Sequence, residues 1–372
     1  MGTSGVEARG RPRVVVTRRI FADQLERLRR DYEVLDNQDD ANWSTEELLA
    51  RMADADGVLT DPGRQIDGQL LSGCARLCVV SNVAVGFNNV DLVACTRAGI
   101  LATNTPDVLN DATADHAWAL LLAAARRVVE SDRWTRAGHW ERFALDAFLG
   151  ADVFGATLGI LGMGRIGRAI ARRAQGFAMR VIYHNRSPAP IANVLADAAV
   201  RAGDRGATAP DDCVQGQAYV ALAGGGQAQW VERAQLLSSA DFLVLLVPYS
   251  AATHHLIGAA ELAQMKPGSV LINIARGGVV DDGALVDALR AGRPGAAGLD
   301  VMEHEPQIHP GLLALDNVVL TPHIGSATLT ARRAMVRLAI ENLDQALRGQ
   351  RPRALLNGEA WASRRRIAGG AA

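Results

Sequence analysis

Three short stretches of the chain carry side chains suited to a single reaction. NIARGG contains Arg276, EHEP contains Glu305, and TPHIGS contains His323. Each follows an apolar run of strand character, so each reactive residue falls where open α/β sheets present their ligands, at the carboxyl ends of strands. A histidine has an ordinary pKa of about 6.5 and moves a proton easily near neutrality. A carboxylate beside a histidine fixes its tautomer and favours its charged form. Arginine's planar fork can hold a carboxylate and a keto oxygen together. The trio suits reduction of a 2-keto acid, in which a hydride reaches the carbonyl carbon and a proton its oxygen. The three residues are far apart in sequence, so only the fold can bring them together.

The hydride needs a carrier, and the chain has a site for one. GMGRIG runs from Gly162 through Met163, Gly164, Arg165 and Ile166 to Gly167, directly after the apolar run TLGILG and before the helical RAIARRAQG. In that context Gly162 makes the tight turn, Gly164 admits a pyrophosphate, and Gly167 lets helix and strand pack closely. Arg165 and Ile166 open the helix, where free N–H groups bind phosphate. The following strand, RVIYHN, ends in His184, Asn185, Arg186 and Ser187, with no acidic residue from Arg180 to Pro190. An acid there would accept from a ribose 2′-hydroxyl, whereas Arg186, aided by Asn185 and Ser187, suits a 2′-phosphate. NADPH is therefore expected over NADH. Further cofactor contacts are expected at the strand ends, from Val247, Pro248, Ala275, His323 and Gly325.

Two series of β-then-α segments must position these residues. The first has strand candidates Arg13–Arg18, Tyr32–Asp36, Gly57–Thr60, Leu77–Asn82 and Ile100–Asn104; the second has Thr157–Gly162, Arg180–Asn185, Asp241–Pro248, Ser269–Ala275, Gly295–Val301 and Val318–His323. Apolar runs alternating with amphipathic helices predict an α/β protein of two doubly wound parallel sheets. The expected organisation is a flavodoxin-like substrate domain, discontinuous over 13–108 and 324–350, and a Rossmann dinucleotide-binding domain over 109–323. A long helix is expected through ATADHAWALLLAAARRVVESDRW, capped by Asp111 or Thr113. Its first half is apolar almost all round and is expected to be buried. The Ala- and Gly-rich stretch 188–229 reads as a poorly ordered insertion around a short strand, AYVAL. Residues 1–12 and 351–372 read as tails.

Composition excludes several classes. A net charge of -1 over 372 residues draws the chain to neither nucleic acid nor an acidic membrane. Its most apolar run, Ala117–Ala125, is too short to span a bilayer. The four cysteines, Cys74, Cys78, Cys95 and Cys213, form no C-x-x-C pair and read as reduced thiols of a cytoplasmic protein. No metal site is expected. His254 and His255 are adjacent, and adjacent side chains diverge on either helix or strand; Glu303 is expected to be solvated, and His304 and His309 exposed.

The chain resembles the D-isomer-specific 2-hydroxyacid dehydrogenase family. The resemblance runs from about Val14 to Arg348 and rests on NVAVGFNNVD, NTPDVLNDATADHAWALLLAAARR, GADVFGATLGILGMGRIGRAIARR, NIARGGVVDDGALVDALRAG, GLDVMEHEP and HPGLLALDNVVLTPHIGSAT. It is strongest to the glyoxylate/hydroxypyruvate reductase branch, which includes 2-ketogluconate reductases. It implies a reductase making a D-2-hydroxy acid, with substrate-binding Arg276, a catalytic His323 paired to Glu305, and substrate carboxylate on the Val85–Gly86 amides. It further implies Asp300 near the nicotinamide carboxamide, Thr113 near the cofactor phosphates, and a homodimer. The chain departs from the family in the length of the stretch after NRSP, in Ala156 where a lysine is usual, and in Gly224–Gly226. Trp140, or Leu145 near it, is expected either to pack at an interface or to filter substrates at a partner's site. The alternative is a dinucleotide-sensing, corepressor-like interaction protein of the same fold.

Overall fold

The computed structural model describes residues 10–187, 219–222 and 226–367. It divides into two compact units, Met1–Leu109 with Thr328–Ala372, and Asn110–Ala327.

The first unit is a five-stranded parallel sheet ordered β2-β1-β3-β4-β5, with β1 Arg13–Val16, β2 Glu33–Asp36, β3 Gly57–Thr60, β4 Val79–Asn82 and β5 Leu101–Thr103. The central strands β3 and β4 are buried at every residue, as expected of a parallel sheet covered on both faces. One face packs Val15, Val58 and Val80 against Leu48, Leu70 and Cys95 of the short helices. The other packs Val14, Val16 and Val79 against Val336, Ile340 and Leu343 of helix Leu329–Leu347. That helix is capped by the Thr328 side chain, and the hydroxyl of Ser81 on β4 donates to its Ala339 carbonyl at 2.8 Å.

The last residues differ from the expected tail. Leu355 bridges Thr103 of β5 in antiparallel sense, and the Leu356 amide donates to the Ala102 carbonyl. Buried Asn357 accepts from the Ala102 amide at 2.9 Å and donates to the Ile100 carbonyl at 2.9 Å. Ala360 is buried and Trp361 packs beside it. One polar side chain that satisfies two backbone groups anchors this segment, and that leaves no mark in local composition.

The second unit is an eight-stranded sheet ordered β13-β12-β11-β10-β6-β7-β9-β8. Its strands are β6 Thr157–Leu161, β7 Arg180–His184, β8 Tyr219–Ala221, β9 Gln227–Trp230, β10 Phe242–Leu245, β11 Val270–Asn273, β12 Ala296–Leu299 and β13 Val318–Leu320. All neighbours are parallel except β8 and β9. The topological switch lies between β6 and β10, where a doubly wound sheet opens its crevice. β9 corrects the expected insertion, because Gln227–Gln229 lie within a sheet strand paired to β7. Ala228 alone of that strand is fully buried, with the half-buried Trp230 packed against the same core. The expected short strand appears as β8, while 188–218 and Gly224 lie outside the described residues.

The expected long helix is two. Helix Asn110–Ala125 ends before Arg127, whose backbone is left-handed (φ 52°), and Val128–Arg136 follows. Arg127 turns back to hold Glu130 with two hydrogen bonds of 2.8 and 2.7 Å. Because the first helix begins at Asn110, Asp111 and Thr113 lie inside its first turn and do not cap it. Ala117, Leu120, Leu121 and Ala124 are buried in the core, together with Ile160, Val244 and Ile272 of the sheet. Cys74, Cys78 and Cys95 are free and buried. Burial pushes all three thiols up, Cys78 to about 11 and Cys95 to about 12, so they are poor nucleophiles. Among the described residues no helix is long and apolar enough to cross a membrane.

Candidate active site

Three turns at the carboxyl ends of β11, β12 and β13 carry the reactive residues. Asn273, the last residue of β11, is buried; its Oδ1 accepts from the Ala275 amide and its Nδ2 donates to the Arg276 carbonyl, both at 3.1 Å. These bonds fix the bend that sends Arg276 out of the sheet. The next residue must be glycine. A Cβ on Gly277 would lie 1.8 Å from the Met302 carbonyl oxygen, so this turn rests directly on the backbone leading to Glu305. Burial pulls the Arg276 guanidinium below its ordinary value, and the Glu305 carboxylate partly offsets that.

Glu305 is held at one oxygen and offered at the other. Its Oε1 accepts from the Met302 amide at 3.0 Å, and its Oε2 meets Nδ1 of His323 at 2.8 Å. That contact leaves Nε2 as the ring nitrogen able to serve a substrate. His323 thus contacts Glu305 directly, and the Arg276 guanidinium lies near enough to feel the same carboxylate. His323 has a left-handed backbone (φ 53°), a conformation costing histidine about 1–3 kcal/mol unless its surroundings impose it. Asp300 imposes it. Its carbonyl accepts from the His323 amide at 2.9 Å, and its buried carboxylate accepts from the amides of Ile324 at 2.8 Å and Gly325 at 2.7 Å.

Two further donors complete this carboxylate. Thr321 Oγ1 donates to Asp300 at 2.7 Å, and Nε2 of His116 lies 3.1 Å from Asp300 and 3.0 Å from Thr321 Oγ1. Burial alone would raise the Asp300 carboxyl, but the bonds from His116, Thr321 and the Ile324 amide hold it below its ordinary value. Neither His116 nor Asn273 stands out in the sequence. His116 is the one histidine within ATADHAWALLLAAA, and its position on an apolar helix is the only signal.

The glycine-rich turn has the form a dinucleotide requires. Gly162 has φ 107°, and a Cβ there would lie 2.9 Å from the Leu246 carbonyl carbon. Above Gly164 a Cβ would meet nothing within 4 Å, so the backbone at the start of helix Arg165–Ala174 is open to a ligand. No side chain of Gly164 caps that helix, and the amides of a helix's first turn are of the kind that bind an anion. This donor set fits a pyrophosphate. Asn185 Oδ1 accepts from the Met163 amide at 2.7 Å and ties the turn to the end of β7. Arg186 and Ser187 follow, exposed. Val247 and Pro248 lie just beyond β10, and Thr113 lies near Gly325, 3.5 Å from where a Cβ would be built.

The loop of Val85 and Gly86 belongs to the first unit, just past β4. Its carbonyls are anchored by side-chain amides, Val85 by Asn104 at 2.8 Å and Gly86 by Asn82 at 2.9 Å.

The histidine pair departs from expectation. His254 and His255 do not diverge; their rings stack with centroids 3.9 Å apart. His255 is left-handed (φ 49°), which removes the alternation that regular backbone imposes. Glu303 is not solvated either, because its Oε1 lies 2.6 Å from His255 Nε2 and its side chain is only 16% exposed. His304 and His309 are exposed.

Residues 118–204 and 221–325 match the family model described as D-isomer specific 2-hydroxyacid dehydrogenase, NAD binding domain. The chain is 42% identical over 353 residues to a glyoxylate reductase of Thermococcus onnurineus, covering 94% of this chain and 97% of the relative. A crystal structure of a Thermus thermophilus protein aligns with a TM-score of 0.78 at 39% identity, covering 92% of this chain and 99% of that one. An NADPH-dependent glyoxylate/hydroxypyruvate reductase of Sinorhizobium meliloti, in complex with NADP and malonate, aligns at 0.76 with 31% identity, covering 94% and 98%. A NAD(P)-binding sheet with a crevice at its switch point, and relatives matched nearly end to end, lead to one conclusion: this chain belongs to the D-isomer specific 2-hydroxyacid dehydrogenase family and is an oxidoreductase of 2-keto and 2-hydroxy acids.

Proposed function

We propose that the protein is an NADPH-preferring reductase that converts glyoxylate, hydroxypyruvate or a related small 2-keto acid to the D-2-hydroxy acid. The observation that carries this is the 2.8 Å contact of His323 with Glu305, beside the turn that bears Arg276, on strand ends of the sheet whose glycine-rich turn suits a dinucleotide. The cofactor, when bound, supplies the hydride. Arg276 grips the substrate carboxylate and orients the keto group. His323, its Nδ1 on Glu305, gives the proton from Nε2 to the carbonyl oxygen as charge develops there. Reduction therefore needs the charged imidazole and slows as pH rises; oxidation of the hydroxy acid needs the neutral one.

The adenine end is held by the exposed Arg186 and Ser187, whose donors suit a 2′-phosphate. NADP bound to the Sinorhizobium reductase supports this choice. The chain works as a homodimer through 128–154, where Trp140, Phe143, Leu145, Leu149 and Phe154 are each at least 66% exposed in the single chain, too much apolar surface to leave in water. Trp140 or Leu145 would then border the partner's substrate.

The test is turnover of a panel of 2-keto acids with each cofactor. Hydroxypyruvate or glyoxylate with NADPH should be fastest, and Arg186→Glu should weaken NADPH far more than NADH. Equal losses for both cofactors would end the 2′-phosphate argument. Tight cofactor binding without turnover of any keto acid would instead favour a corepressor-like interaction protein.

A further inference from the structure

Beside the loop that carries Glu305, the second unit gathers two imidazoles and a carboxylate that the reductase chemistry does not use. His254, His255 and Glu303 offer ligand atoms that all lie within 4.8 Å of one another. Two atoms bound to one tetrahedral ion lie about 3.3 Å apart when each bond is about 2.0–2.2 Å. Modest side-chain rotation closes the difference.

The surroundings are arranged as metal ligands require. A ligating histidine usually has its second nitrogen held by an outer partner, which fixes the ring and its tautomer. The Tyr249 hydroxyl lies 3.1 Å from Nδ1 of His254, which leaves Nε2 of that ring for a ligand. Asp281 Oδ2 lies 3.8 Å from Nδ1 of His255, whose Nε2 is the nitrogen facing Glu303. The backbone is equally committed. The His255 amide donates to the Gly278 carbonyl at 2.8 Å, the Glu303 amide to Asp282 at 3.1 Å, and the Tyr249 ring lies where a Cβ on Gly278 would be, 2.7 Å away. Asp281, Asp282 and Glu303 concentrate negative charge around two histidines, a field that favours a cation.

We propose that His254, His255 and Glu303 form a binding site for a borderline divalent metal ion, Zn²⁺ foremost, with Tyr249 and Asp281 as its outer partners. Imidazole nitrogens select Zn²⁺, Ni²⁺ or Co²⁺ over Mg²⁺ and Ca²⁺, which prefer oxygen. The bound ion ties the loop Tyr249–His255 to Met302–Glu305 and so steadies the backbone from which Glu305 projects. The assignment stands whether or not the protein reduces a keto acid, because it is read by binding alone.

The test is equilibrium dialysis of the full-length protein against Zn²⁺, with visible absorption of Co²⁺ in parallel. The wild type should bind one equivalent, and Co²⁺ should show ligand-field bands without a thiolate charge-transfer band. His254→Ala and Glu303→Gln should each weaken binding by about 10-fold or more, and Asp281→Asn by about 10- to 100-fold, as loss of an outer partner does. Saturating Zn²⁺ should raise the melting temperature of the wild type but not of His254→Ala, because only a native-state ligand stabilises. His254 is exposed, so its variant keeps the fold and decides the matter even if Glu303→Gln does not. No binding, unchanged affinity in His254→Ala, or a thiolate band would each overturn the site.

Discussion

Of the histidine–carboxylate pairs in the second unit, His323–Glu305 and His116–Asp300 stand in opposite surroundings. His323 and Glu305 meet at 2.8 Å, with 36% and 32% of their side chains exposed. His116 and Asp300 meet at 3.1 Å, with 16% and 3% exposed. Glu305 spends one oxygen on a single amide, whereas Asp300 accepts two amides, a hydroxyl and an imidazole. A carboxylate that accepts so many bonds in a dry setting cannot easily change its charge or its place. A histidine and a carboxylate thus make the proposed proton-moving pair where water reaches them, and a pin where it does not. Asp300 then sets the left-handed turn on which His323 stands.

The largest expected effect breaks the open pair. His323→Ala should lower turnover by about 100- to 10,000-fold with little change in melting temperature. Glu305→Gln should follow it in direction, so steady-state rates and thermal melts measured together separate chemistry from stability. If Glu305→Gln lowered the melting temperature as much as Asp300→Asn, the distinction between the pairs would be lost.

Next comes the closed pair itself. Asp300→Asn turns one face of an acceptor into a donor opposite backbone amides, and should cost roughly 1.5–3 kcal/mol for each charged hydrogen bond left unmet. The pH dependence has a definite sign. Asp300 is held below its ordinary value of 3.8, so its stabilisation is complete above that pH and is lost as pH falls below it toward the folded-state value. Acid melts of the wild type should steepen there, and those of Asp300→Asn should not.

The smallest effect belongs to His116. His116→Leu keeps the helix but removes one of four donors, for an expected loss of about 1–3 kcal/mol. Turnover should fall while KM for the keto acid holds, because the variant loosens the His323 turn and not Arg276. His116→Asn, which restores a donor, should recover part of it. Equal turnover in all three proteins would remove His116 from the positioning network.

Sequence and structure agree where local chemistry settles the outcome and part where tertiary contacts do. β3, β4, β10 and β11 are continuous apolar runs because both faces are covered, so their character is written in every residue. The glycine-rich turn is legible because each glycine answers a distinct steric demand. β9 is hidden because only Ala228 of Gln227–Trp230 is fully buried. His254 and His255 come together through a left-handed residue no pattern announces. His116 is masked by its apolar neighbours, and its partners lie nearly two hundred residues away.

The segment that closes the chain guards the first sheet. β5 is one of its two edge strands, and a bare flank of unpaired amides and carbonyls is a template for another chain. Ala354 and Leu355 occupy that flank, held by Asn342 and Asn357. A recombinant version shortened to end at Gly349 would keep every reactive residue yet expose the strand, and it would aggregate by adding strands from its own copies. Affinity tags and fusions therefore belong beyond Ile367, where the guard is already in place.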